Sequence, residues 1–140
     1  MMKKPTKDDA EIFLRLMQTF NTPHDHDAGI WFMREFSAKD YAEFKSKYPR
    51  TSDGYHNVGH VLSFYEVAGV LVSHGLLNEN LFFDASDIAF TWAKLEKIIP
   101  GWQKEVSPAL WENAVWLAKR YKYWQKNVWK PNQKWKTSTR

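Results

Sequence analysis

Along most of the chain apolar residues recur every three or four positions, and no stretch alternates apolar with polar over the length of a strand. Ile12, Phe13, Leu16, Met17 and Phe20 predict an amphipathic helix over 7–20, with Thr6 as N-cap and Asp8 and Asp9 in the first turn, where the helix dipole favours anions. Asn21-Thr22-Pro23 ends it, and a second helix is expected over 27–36. Ser37-Ala38-Lys39-Asp40 reads as a capping box with Asp in place of Glu, opening a short helix that carries Tyr41, Phe44 and Tyr48 and stops before Pro49.

After a polar loop at 50–54, the pattern predicts one long helix over 55–74 that is apolar around most of its girth, the mark of a central, buried helix. Val58, Leu62, Tyr65, Gly69 and Val72 lie on one line. Glycine inside a helix costs about 1 kcal/mol relative to alanine, so Gly69 predicts a close helix crossing. Gly75 is the expected stop. Asn78 caps a short turn through Leu81, Phe82 and Phe83. A helix over 85–99 then carries Ile88, Trp92, Leu95 and Ile99 and is broken by Pro100-Gly101. Ser107-Pro108 reads as an N-cap followed by proline at the first helical position, opening a helix over 108–127 with the stripe Leu110, Ala114, Leu117, Tyr121 and Trp124. The expected fold is all-α: a compact bundle of five or six helices around 55–74, one domain over 1–127, and a short disordered, basic, aromatic-containing tail over 128–140.

Composition adjusts this picture in two places. An aromatic share of 16% gives the core large flat side chains. The absence of cysteine excludes disulfides, thiolate metal sites and cysteine nucleophiles, and it fits a reducing compartment. The longest strongly apolar stretch, 67–72, is far too short to span a bilayer, and the N-terminus lacks a signal-peptide run, so a soluble cytoplasmic protein is expected. The net charge of +4 is divided unevenly. No acidic residue follows Glu112, whereas eight cations do; residues 1–112 hold the other twelve Lys and Arg against all sixteen Asp and Glu. A mildly acidic body therefore carries a basic C-terminal segment.

From Phe64 onward the residues resemble an uncharacterised family of short bacterial helical proteins, known as a domain of unknown function. The resemblance is carried by 64–72, by 75–81, by Trp92-Ala93-Lys94-Leu95 before Ile98-Ile99, and by Leu110-Trp111-Glu112-Asn113 before Trp116-Leu117-Ala118. It covers about 60–122 and implies an all-helical fold without implying a reaction. Where that family usually has an aromatic and an acidic residue after the Glu-Asn pair, this chain has Ala114-Val115. Some relatives carry an N-terminal membrane anchor, and none is expected here.

Two surfaces could carry chemistry. Tyr55-His56-Asn57-Val58-Gly59-His60 resembles the Tyr-His-Asn-x-x-His signature of helical, metal-dependent phosphohydrolases of the His-Asp type, which activate a metal-bound water for attack on phosphate. The resemblance implies His56 and His60 as metal ligands. The His-Asp pairs of this chain, His24-Asp25 and His26-Asp27, lie upstream of the signature, whereas that family places its pair on a later helix. On the helix wheel His56, His60, Ser63 and His74 fall on one polar strip bordered by Glu66, and such a strip also serves simply to face water. The run 24–27 reads as a loop at a helix start whose carboxylates cap N–H groups.

The second surface lies on the last helix. Trp116, Lys119, Arg120 and Tyr123 share one face, continued by Trp129 and Trp135 among the lysines of the tail. Aromatics interleaved with cations suit a protein partner or homodimer, single-stranded nucleic acid, or an anionic membrane surface. The expectation is a non-catalytic binding or interaction module without cofactor. The alternative is a phosphohydrolase-like enzyme using Tyr55-His56-Asn57 and His60.

Overall fold

A computed structural model describes residues 3–130. Among these there are eight helices and no strand: α1 (Lys7–Thr19), α2 (Pro23–Arg34), α3 (Tyr41–Lys47), α4 (Asp53–Ser73), α5 (Glu79–Ala85), α6 (Ile88–Leu95), α7 (Ile99–Glu105) and α8 (Glu112–Asn127). The all-α class holds, and the count of five or six does not.

Local chemistry explains most of the helix starts. Thr6 caps α1 in a capping box with Asp9. Thr22 does the same for α2 with Asp25, and Pro23 occupies the first turn, where its missing N–H is not needed. The segment His24–Asp27 therefore lies in the opening turns of α2, and the expected loop there is absent. Asp40, not Ser37, caps α3, its side chain accepting from the Glu43 N–H. Ser52 caps α4 and Asn78 caps α5. Gly75, at φ 73°, supplies the left-handed residue that ends the long helix.

Two expected helices are divided differently. The stripe Ile88, Trp92, Leu95, Ile99 is buried throughout, yet the chain turns at 96–98. Pro100 lies in the first turn of α7, where proline starts a helix more readily than it stops one. Ser107-Pro108 forms a turn, with Ser107 Oγ accepting from Ala109 N–H and Ser107 O from Leu110 N–H, so the last helix begins at Glu112. The expected disordered tail lies, from 131 on, outside the described residues.

α4 is the centre. It packs most extensively against α8 and next against α2; α3 packs on α7, α6 on α8, and α1 on α5. Contacts of residue 25 with 60 and of residue 31 with 54 make α2 antiparallel to α4. The core joins Phe32, Phe36, Phe44, Val58, Leu62, Phe82, Leu95, Ile99, Trp102 and Leu117. At the C-terminal end of α2, the Lys94 ammonium donates to the carbonyls of Phe32, Met33 and Phe36, satisfying acceptors that the helix leaves without partners. No helix among the described residues is long and apolar enough to cross a membrane.

Candidate functional site

The α4–α8 crossing fixes where the residues of α8 point. At Gly69 a β-carbon would stand 2.2 Å from the Asn113 carbonyl oxygen, so the two backbones meet where a side chain has no room. One turn earlier, Glu66 accepts from the N–H groups of Asn113 (3.1 Å) and Ala114 (3.0 Å) and from the Asn113 amide (2.6 Å). A carboxylate from another helix thus caps α8, which has no side-chain cap of its own. Just before it, Trp111 is in the left-handed conformation at φ 59°, uncommon for a bulky residue, and its indole N–H has no hydrogen-bond partner among the described residues.

On the outer face of α8, Trp116 and Tyr123 are 39% and 49% exposed. Arg120 sits between them. Its guanidinium makes two hydrogen bonds to Glu79, at 2.8 and 2.9 Å, and lies 4.6 Å from the centre of the Tyr123 ring. The bond to Glu79 raises its already high pKa, so it stays charged and paired. Lys119 is exposed on the same helix. Trp116, Lys119, Arg120 and Tyr123 all lie on α8, and within the set Arg120 packs on Tyr123. Trp129 does not join them: it lines a cavity with Tyr121 and Trp124 on another side of α8. Trp135 lies outside the described residues.

The histidine strip is dispersed. His56 is exposed near the start of α4, and His74 follows the helix as its C-cap. Ser63 Oγ donates back to the Gly59 carbonyl at 2.7 Å. His60 Nδ1 lies 3.2 Å from Asp25 Oδ1, and its ring centre is 4.2 Å from that of His24. The neighbours of His60 are therefore on α2 and not at His56. Asp25 is lowered from the ordinary carboxylate value, first by the Thr22 hydroxyl; burial opposes this, and the Thr22 N–H and His60 lower it further. Among the described residues no three His, Asp or Glu side chains converge closely enough to hold a metal ion.

A wider hollow of about 760 Å³ lies between α3 and α7, lined by Tyr41, Lys45, Gly101 and Glu105 among others. Three of its polar groups bind one another: Glu105 accepts from the Tyr41 hydroxyl and from Lys45 at 2.5 Å. Burial and Glu105 together push the Tyr41 hydroxyl up to about 12.

Sequence reasoning missed Glu79 and Glu66, the carboxylates that organise the α8 surface, because each acts on a partner more than forty residues away. Glu66 was visible as a neighbour of the polar strip. Glu79 carried no local signal beyond its place in the first turn of α5.

A family model described as Domain of unknown function (DUF4760) matches residues 5–121, which extends the likeness seen from Phe64 onward to nearly the whole helical bundle. No curated protein and no solved structure matches at a significant level.

Proposed function

We propose that this chain, which belongs to the DUF4760 family, is a non-catalytic interaction module that takes a protein partner on the outer face of α8. The observation that carries the reading is the Trp116–Arg120–Tyr123 arrangement: two exposed aromatic rings flank a guanidinium already neutralised and oriented by Glu79. Trp, Tyr and Arg are the residues that dominate binding energy in protein interfaces. A preordered Arg–Tyr stack loses little side-chain freedom on association.

The same geometry counts against phosphate-rich partners at this face. The Arg120 guanidinium spends two of its five N–H groups on Glu79, so a phosphate bound to the others would stand beside a carboxylate that repels it. Nonspecific attraction to the basic terminal segment would weaken with salt, so salt dependence separates the two kinds of contact.

The test is site-specific photo-crosslinking from a benzoylphenylalanine placed at position 116 in the full chain in cells, with the same probe at Leu14, 60% exposed on α1, as the control. A discrete protein adduct, formed from position 116, absent from position 14 and lost on Tyr123→Ala, supports the reading. If the adduct is a second copy of this chain, sedimentation velocity should show self-association that Trp116→Ala and Tyr123→Ala weaken. Identical adducts from both positions, or none from position 116, would sink it.

A further inference from the structure

The opposite side of α8 carries a pocket that the face just described does not use. Residues 121, 124 and 128 point toward the core side of the helix, and beyond them the chain turns so that the Val128 and Trp129 N–H groups both bond the Trp124 carbonyl. This last turn places Trp129 over a cavity of about 360 Å³ between the end of α8 and the junction of α5 with α6. The volume is at the lower end of the range of roughly 300–1,000 Å³ typical of small-molecule sites.

Four aromatic rings line the cavity. Tyr121 and Trp124 stack with centres 6.0 Å apart and planes 18° apart, and Phe83 packs on both at 5.3 and 5.6 Å. These three are almost wholly buried, each showing the cavity only a small part of its ring, whereas Trp129 is 44% exposed. Trp124 is held in place from behind: its indole N–H donates to Asn80 Oδ1 at 2.8 Å. Three rings therefore form a fixed wall, and the fourth stands at the mouth.

The polar part of the lining is negative. Asp84 and Asp87 are both exposed at the rim, with Ser86 and Gln125 between aromatic neighbours. Asp84 is engaged in an interaction of its own, and Asp87 is the carboxylate that faces a ligand. Asp87 caps α6, accepting from the Ala89 N–H at 3.2 Å, and its charge acts on the Tyr121 hydroxyl, which burial first and Asp87 second push up. The C-terminal turn of α8 ends at the same place, and the last carbonyls of a helix carry its partial negative charge. Among the described residues no basic side chain lines the cavity.

From these residues we infer that the cavity bounded by Phe83, Asp87, Tyr121, Trp124 and Trp129 is a binding site for a small organic cation, an alkylated ammonium head group. A quaternary ammonium suits it better than a metal ion or a primary amine. Its charge is spread over methyl groups that gain from contact with aromatic faces, and it has no N–H that would need an acceptor. The carboxylate of Asp87 supplies the long-range attraction and the rings supply the contact. The site lies across α8 from Trp116 and Tyr123 and stands independently of the partner reading. Trp124 and Trp129 also lie beyond the residues matched by the family model, so half of the aromatic lining is an addition to the family-matched bundle.

The experiment titrates choline, and separately its neutral isostere 3,3-dimethylbutan-1-ol, into the full ¹⁵N-labelled chain and follows the indole N–H resonances. Trp129→Phe and Trp124→Phe assign the two signals. The lysines that follow Trp129 could compete for the cavity, so the titration is repeated in the full-length variant Lys130→Gln/Lys134→Gln/Lys136→Gln. Saturable shifts of the Trp124 and Trp129 signals are expected with choline, at an affinity about tenfold above that of the neutral isostere, a ratio typical of a desolvated cation–aromatic contact. Trp129→Ala and Asp87→Asn should each lower choline affinity at least about threefold. Both variants should stay folded by circular dichroism, since Trp129 is exposed and Asn caps a helix as well as Asp.

Equal affinity for choline and the isostere would make the cavity merely apolar and overturn the assignment. Shifts that persist in both variants would place the cation elsewhere and do the same. No saturable shift in either the natural chain or the lysine variant also overturns it.

Discussion

Gly69→Ala is the sharpest test of the packing that holds α8 in place. In an open helical position the change stabilises by about 1 kcal/mol, because alanine loses less backbone freedom. Gly59, also within α4, is such a position, with nothing within 4 Å of the added carbon. At Gly69 the new carbon would meet the Asn113 oxygen at 2.2 Å and the Asn113 carbonyl carbon at 2.7 Å, backbone atoms that no rotamer can move aside. Restoring an ordinary contact requires α8 to retreat by about 1 Å. The bonds from Asn113 N–H and Ala114 N–H to Glu66, now 3.1 and 3.0 Å, would then stretch past hydrogen-bonding distance. Overpacking of this kind costs about 1–3 kcal/mol, and weakening one charge-assisted bond costs about 1.5–3 kcal/mol. Against a gain of about 1 kcal/mol from propensity, the net loss is about 1.5–5 kcal/mol.

For a chain of this length a loss of about 3 kcal/mol lowers Tm by about 10 °C, whereas Gly59→Ala should raise it by about 2–3 °C. Urea unfolding and thermal melts of the two variants give opposite signs if the crossing is as described. Glu66→Gln weakens the same contact, so the double variant Gly69→Ala/Glu66→Gln should lose less than the sum of the two singles. If Gly69→Ala stabilises like Gly59→Ala, the close approach and the interhelical cap built on it are wrong.

Two further outcomes follow from buried polar groups. Trp124→Phe leaves Asn80 Oδ1, on a residue only 3% exposed, without its indole donor, whereas Trp111→Phe removes an N–H that has no partner among the described residues. The loss of ring volume is the same, so the first variant should be less stable than the second by about 1–3 kcal/mol in urea titrations, and equal midpoints would contradict the assigned bond. Asp25 provides the pH test. Its folded pKa is below the ordinary 3.8, chiefly through the Thr22 hydroxyl, so its contribution is complete above that value and is lost as pH falls below 3.8 through the folded pKa. Asp25→Asn should flatten the fall of the urea midpoint in that acid range while the slope above pH 5 stays unchanged; an unaltered acid slope would remove Asp25 from the account.

The readable and unreadable parts of this fold divide according to where each helix end finds its partner. Thr6, Asn78 and Gly75 satisfy or terminate the backbone within a few residues of themselves, and sequence patterns contain that information; Ser52 caps α4 just as locally, yet 50–54 read as a loop and the helix as starting at 55. Gly69 was legible for a related reason: an unfavourable residue in an otherwise apolar helix needs a compensating contact, even when the partner's identity is hidden. The stripe of α6 misled because burial continues in phase through Ile99 although the backbone turns at 96–98. A hydrophobic period records which side faces the core and not whether the chain stays helical between its members. Ser107-Pro108 misled because the true start of α8 has no local cap: its N–H groups are satisfied by Glu66, forty-seven residues earlier. The candidate surface follows the same rule. Its aromatic members Trp116 and Tyr123 could be placed by counting along one helix, but the state of Arg120 depends on Glu79, a residue that only the folded chain brings near. A face that reads as basic in sequence is, at its centre, a neutral ion pair laid against an aromatic ring.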